Sequence, residues 1–216
     1  DNDLALLALN SSFTILKSNP KDSLKKLNYF ASDEDAESLL LKPTFNGPHT
    51  ENAATPQNIV IIIIESGATE FWGVANKGQG YTPFLDSLAA KGLFFRNSFA
   101  NGRKSIEALP AIILGMPALM EHPLAKSRYQ FNQWHGLGEA VAQKNYDTSF
   151  YQGSEKGSMN FDAIAKLGGV KDYFSMTEYP NPKDYDGFWG IFDEPYLKYY
   201  ADELTKKPKP SLSMVF

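Results

Sequence analysis

Six consecutive aliphatic residues, Ile59–Ile64, five of them isoleucine, stand between Asn58 and Glu65. A run this short, β-branched and bounded by polar residues reads as a strand buried on both faces, at the centre of a parallel sheet. A parallel sheet needs crossover helices, and the sequence supplies candidates. Thr82-Pro83 starts a helix as N-cap and first helical residue, with Gly92 as its stop. Leu93–Phe99 resembles the next strand. Ser105–Leu114 is a short helix that Pro110 should shorten or bend.

Beyond a long connection over Gly115–Gln133, the alternation resumes. Helices are expected over Gly136–Lys144, over Met159–Leu167 (ending at Gly168-Gly169) and from Asp193 to about Lys206. Strands are expected over Thr148–Tyr151, Asp172–Met176 and Ser211–Phe216, the last after a turn at Pro208 and Pro210. The pattern predicts a three-layer α/β sandwich with a mostly parallel central sheet. The chain stops inside its last strand, so the domain is expected to be incomplete at its C-terminus.

The first 57 residues read differently. Asp1–Leu16 fits a short amphipathic helix, Ser18–Lys26 a charged linker, and Ser32–Glu37 an acidic patch near a second helix. Pro43–Gln57 carries turn chemistry. Together they form an extended lead-in to residues 58–216, not a domain of their own.

Composition narrows the function. The 216 residues are 43% hydrophobic, enough for one sizeable core and too many for a disordered chain. With 21 Lys+Arg against 25 Asp+Glu there is no basic footprint for nucleic acid. The absence of cysteine excludes disulfides, zinc–thiolate sites and cysteine nucleophiles. No segment reaches the roughly 18–20 apolar residues needed to span a bilayer, and no signal peptide is evident. The chain opens on Asp1 without a methionine, which suggests a processed or designed start.

Two residues stand where an α/β sheet gathers chemistry. Glu65 follows the aliphatic run directly, at the carboxyl end of its strand, where ligands collect. Its carboxylate can bind a hard cation, although a solvated strand-end glutamate is the commoner explanation. Ser105 opens a helix just after Arg103-Lys104, whose charges add to the positive end of the helix dipole. It is either a nucleophile activated by a metal or a plain N-cap, with Glu107 at the second helical position supporting the dipole. His49, His122 and His135 show no metal-ligand spacing, and Ser66 lacks the glycines of a nucleophile elbow. Tyr185, Phe188, Trp189 and Phe192 fit a sugar- or lipid-contacting platform, or more commonly a packed core edge.

Four blocks in order, Asn58–Ser66, Thr82–Gly92, Ser98–Pro117 and Asp186–Pro195, resemble the lipoteichoic-acid-synthase and phosphoglycerol-transferase branch of the sulfatase and alkaline-phosphatase superfamily. The resemblance covers about Asn58–Phe216 and implies an alkaline-phosphatase-like fold. It implies a metal-dependent phosphotransferase that moves a head group from a phospholipid donor to an envelope glycan acceptor. It also implies a bacterial, extracytoplasmic domain anchored in the cell membrane by upstream transmembrane helices.

By the same resemblance, Glu65 is a ligand of a divalent metal, manganese or magnesium. Ser105 is both metal ligand and nucleophile, forming a covalent phospho-serine. Lys104 and Asn160 are the substrate-contacting candidates. Gln152, Met159 and Phe161 stand where Gram-positive synthases carry the His, Trp and Arg that contact phosphoglycerol. The family's remaining ligands, an Asp-His pair and a substrate-contacting His, are expected after the strand that begins at Ser211. A sulfatase proper needs Cys or Ser followed by x-Pro-x-Arg, which Ser105-Ile-Glu-Ala-Leu lacks. A third alternative is an anion-binding module without turnover.

Overall fold

The computed structural model describes Leu24 and residues 27–39, 56–207 and 210–216. The expected helix over Asp1–Leu16, most of the Ser18–Lys26 linker, most of Pro43–Gln57, His49 and Pro208 lie outside these residues. The chain divides into two compact units, Asp1–Pro56 and Gln57–Phe216.

In the first unit, helix α1 (Asp33–Leu39) carries three acidic residues in its first turn, where the helix dipole favours negative charge. The Ser32 hydroxyl accepts the Asp35 N–H at 3.2 Å. None of its residues is buried.

The second unit is built on a four-stranded, all-parallel sheet in the order β1-β4-β2-β3. The strands are β1 (Ile59–Ile62), β2 (Asp147–Tyr151), β3 (Asp172–Phe174) and β4 (Ser211–Val215). Among the described residues five α-helices accompany them: α2 (Pro83–Ala89), α3 (Ser105–Leu114), α4 (Leu137–Ala142), α5 (Phe161–Leu167) and α6 (Asp193–Lys206). No helix among the described residues is long and apolar enough to cross a membrane.

Strand periodicity sorts the central residues onto two faces. On one face Phe150, Leu212 and Met214 pack with Ile106, Leu109 and Ile113 of α3 and with Phe161, Ile164 and Ala165 of α5. On the other, Tyr151 and Val215 pack with Tyr196 and Tyr200 of α6 and with Ile191. Helix, sheet and helix form the three layers of the expected sandwich.

The aliphatic run takes a different place from the one its composition predicts. β1 lies at the edge of the described sheet, and only Ile61 and Ile63 pack on the core. Val60, Ile62 (62% exposed) and Ile64 face solvent. The strands buried on both faces are the serine-bearing β2 and β4, which have neighbours on both sides.

Leu93–Phe99 forms no strand; Leu93, Phe95 and Phe99 (88%) are exposed. A strand exists only through its partners, and none of the four described strands pairs with this segment.

Boundaries also shift. α2 closes at Ala89, before Gly92. α3 continues through Pro110 to Leu114 and ends on Gly115 in the left-handed conformation. α5 begins at Phe161, because Met159 and Asn160 both have positive φ.

Candidate active site

All four strands run parallel, so their carboxyl ends meet at one edge. Glu65 lies there, three residues past β1, and Ser66 turns the chain with a φ of 52°. Ser105 comes from the other side, at the first position of α3. Its hydroxyl donates to Glu65 Oε2 at 2.7 Å, and the Ser66 hydroxyl donates to Oε1 at 3.3 Å. The structure thus brings together the two residues singled out by position. Ser105 reaches this edge from a loop, since the strand expected to deliver it, Leu93–Phe99, is absent.

The helix start differs by one residue from the expected frame. Lys104 is the N-cap, in extended conformation, and makes no side-chain capping bond. Ser105 is therefore the first helical residue and Glu107 the third. From there Glu107 reaches back, and its Oε2 accepts the Arg103 N–H at 2.7 Å, a one-residue variant of the capping box. Gly102 makes that reach possible. A Cβ there would lie 2.5 Å from Glu107 Cβ and 2.8 Å from its Oε2. The Ala118 N–H donates to Asn101 O at 3.1 Å and ties the loop down from the far side. A cavity of about 470 Å³ opens beside it, lined by residues that include Asn101, Arg103, Lys104, Glu107 and Glu121.

The segment after Glu65 is organised by Asp86 of α2. Its carboxylate accepts the N–H of Gly73 at 3.2 Å and of Val74 at 3.0 Å.

Asn160 lies outside this cluster of bonds. Its Nδ2 donates to Ala125 O at 2.7 Å, which ties the start of α5 to the turn Leu124–Lys126. His135 Nδ1 sits 3.0 Å from Glu139 Oε2 in a surface pair. Among the described residues, no three His, Cys, Asp or Glu side chains gather as a metal cluster. Sequence reasoning missed the Gly102–Glu107 clamp. Its only linear signal is an acidic residue two positions after Ser105, which reads equally well as a dipole effect.

A family model described as Sulfatase matches residues 57–216, the whole of the second unit. The chain belongs to the sulfatase family. Its likeness within the alkaline-phosphatase superfamily is to lipoteichoic-acid-synthase-like phosphotransferases. Lipoteichoic acid synthase from Staphylococcus saprophyticus is 25% identical over 201 residues, covering 89% of this chain and 29% of the relative. This chain therefore spans less than a third of that protein's length. A solved alkaline-phosphatase-superfamily protein from Vibrio parahaemolyticus superposes with a TM-score of 0.67 at 29% identity. The superposition covers 76% of this chain and 40% of that one. The lipoteichoic acid synthase LtaP from Listeria monocytogenes has the same fold, with a TM-score of 0.64 at 17% identity over 76% of this chain and 40% of its own. The family match thus covers the unit that carries both Glu65 and Ser105.

Proposed function

We propose that residues 58–216 form the N-terminal part of a phosphotransferase domain that moves a head group from a phospholipid to an envelope glycan or polymer. In this proposal Ser105 is the nucleophile and residues 1–57 are a membrane-proximal lead-in. The parent protein is anchored in a bacterial cell membrane, with the domain outside the cytoplasm. One observation carries the proposal: the 2.7 Å hydrogen bond between Ser105 Oγ and Glu65 Oε2 at the carboxyl edge of the sheet.

That contact polarises the hydroxyl toward Glu65 and holds Oγ at the start of α3. Attack by Oγ on the phosphorus forms a Ser105–O–P bond and breaks the bond to the lipid alcohol, which leaves with a proton. The acceptor hydroxyl then attacks phosphorus, the Ser105–O–P bond breaks, and the acceptor's proton returns to Ser105 Oγ. The first amides of a helix lack intrahelical partners, which suits the phosphoryl oxygens. Lys104 adds a cation beside them. Asn160 retains its amide oxygen for substrate, although its Nδ2 is committed to Ala125.

The family resemblance implies a divalent metal, and two adjacent hard oxygen donors match the ligand chemistry of magnesium or manganese. Glu65 and Ser105 would hold the ion, which when bound lowers the hydroxyl pKa and polarises the phosphoryl group. Two donors are part of such a site, not the whole of it. This favours, as a second reading, that the chain by itself binds anions without turnover.

The test is capture of the adduct. A protein containing this domain is incubated with manganese and head-group-labelled phosphatidylglycerol or phosphatidylethanolamine, then digested and analysed by mass spectrometry. A phosphorylated head group on the Ser105 peptide, absent in Ser105→Ala, is expected. Undiminished head-group release by Ser105→Ala overturns the assignment.

A further inference from the structure

We propose that the loop Tyr185–Phe192 is a glycan-binding platform, taking a neutral, hydroxyl-rich saccharide against Trp189 and Phe188. The inference presupposes transfer to an envelope glycan and assigns the surface that holds it.

The loop backbone is fixed on every side. Asp186 Oδ1 accepts three N–H groups, from Phe188 at 2.7 Å, Trp189 at 2.8 Å and Gly190 at 3.1 Å. Antiparallel bridges join Tyr185 to Ile191 and Ser154 to Gly190. Ile191 is buried in the second core and donates its N–H to Gly153 O at 2.8 Å. A Cβ at Gly190 would lie 2.3 Å from that same carbonyl, so the strand contact needs glycine.

This rigid frame holds aromatic rings in water. Phe188 is 78% exposed and Trp189 70%, and Phe192 is exposed beside them. The Phe188 and Trp189 rings meet edge to face, 5.2 Å between centroids at 81°. The pair forms a corner with an open indole surface, whose negative face attracts the polarised C–H groups of a sugar ring.

Charge selects between a sugar and a lipid surface. Between Lys183 and Glu194 there are four carboxylates, Asp184, Asp186, Asp193 and Glu194, against one lysine. Hydrogen bonds from Phe188, Gly190 and Trp189 lower the Asp186 pKa and keep it charged. This local excess of negative charge disfavours an anionic bilayer surface and leaves a neutral partner as the better fit. The loop is bridged to Gly153 and Ser154, which follow β2 at the same carboxyl edge that carries Glu65 and Ser105. β2 is two places from β1 in the sheet, about 10 Å at ordinary strand spacing. A polymer lying along this edge reaches both.

The experiment titrates the chain with cellopentaose and with maltopentaose, following the three indole N–H signals by NMR and the heat by calorimetry. Neither metal nor turnover is involved, so this result and the Ser105 adduct result stand or fall separately. Saturable movement of the Trp189 signal by either sugar, with Trp72 and Trp134 unmoved, is expected. Affinity should fall at least tenfold in Trp189→Ala and in Phe188→Ala, each checked for native circular dichroism, and less in Trp189→Phe. Failure of both sugars to bind at millimolar concentration overturns the platform, as does binding indifferent to Trp189→Ala. A stronger response of Trp189 to phosphatidylglycerol vesicles than to sugar makes the loop a lipid contact and overturns it too.

Discussion

Ser105 Oγ and Glu65 Oε2, 40 residues apart in sequence, meet at 2.7 Å on an exposed edge of the sheet. A hydroxyl that donates to a carboxylate makes a charge-assisted bond, stronger than its neutral counterpart. Because the pair is open to water, its weight falls on the chemistry of the edge more than on stability.

Glu65→Gln separates the two roles. The amide oxygen still accepts from Ser105, so unfolding free energy should change by no more than about 1 kcal/mol. The negative charge is gone, and with it the ligand for a hard cation. Millimolar manganese should raise the melting temperature of the parent chain slightly and leave that of Glu65→Gln unmoved, as read by scanning fluorimetry.

Gly102→Ala tests the clamp behind the nucleophile. The new methyl meets Glu107 Cβ at 2.5 Å, well inside contact distance. The loop or the glutamate must move, at about 1–3 kcal/mol. Urea unfolding should show that loss, and a midpoint equal to that of the parent chain would show that the loop yields without cost.

Phe150 is fully buried, stacked 5.5 Å from Tyr173 and edge-on to Phe161. Phe150→Ala leaves a void between sheet and helices and should cost about 3–5 kcal/mol. A denaturant midpoint close to that of the parent chain would show that the first core does not depend on this ring.

Acid should release the aromatic loop. Asp186 is held below its ordinary carboxylate value of 3.8 by the N–H groups it accepts. A depressed folded pKa means that its contribution is complete above the unfolded value and is lost as pH falls through the folded one. Amide exchange at Phe188, Trp189 and Gly190 should therefore accelerate, relative to intrinsic rates, only below about pH 3.8. Asp186→Asn, which keeps the acceptor oxygen, should flatten that dependence.

The outer face of β1 should make the chain self-associate. Val60, Ile62 and Ile64 form an exposed apolar row on the edge strand of the described sheet, and such edges recruit other chains. Ile62→Lys should lower the association seen by sedimentation velocity, with stability changed by about 0.5 kcal/mol or less.

Much of this architecture was legible in linear form, because it rests on local chemistry. The helix of Ser105–Leu114 follows from its apolar spacing and Gly115, and Asp193–Lys206 from its acidic first turn. Glu65 and Ser105 stood out because a strand end and a helix start are places where backbone geometry exposes a side chain. The tying of Asn160 to Ala125 was not legible, because 35 residues separate the partners. Nor was the loop at Asp186, whose three amides come from its own turn while its anchor, Gly153, comes from the end of β2.

Local chemistry settles that strands and helices alternate, that the sheet is parallel, and which two oxygen-bearing side chains stand at its carboxyl edge. Periodicity, capping and β-branching act within a few residues, so they survive being read in one dimension. Which of the described strands are central is a matter of packing. The most apolar run, Ile59–Ile64, lies at the described edge, while Asp147–Tyr151 and Ser211–Val215, with their serines, are enclosed. Burial is set by how many neighbours a strand acquires. Serines can be enclosed when they bond one another, as Ser149 and Ser213 do at 3.3 Å, and an isoleucine stays in water when nothing packs against it.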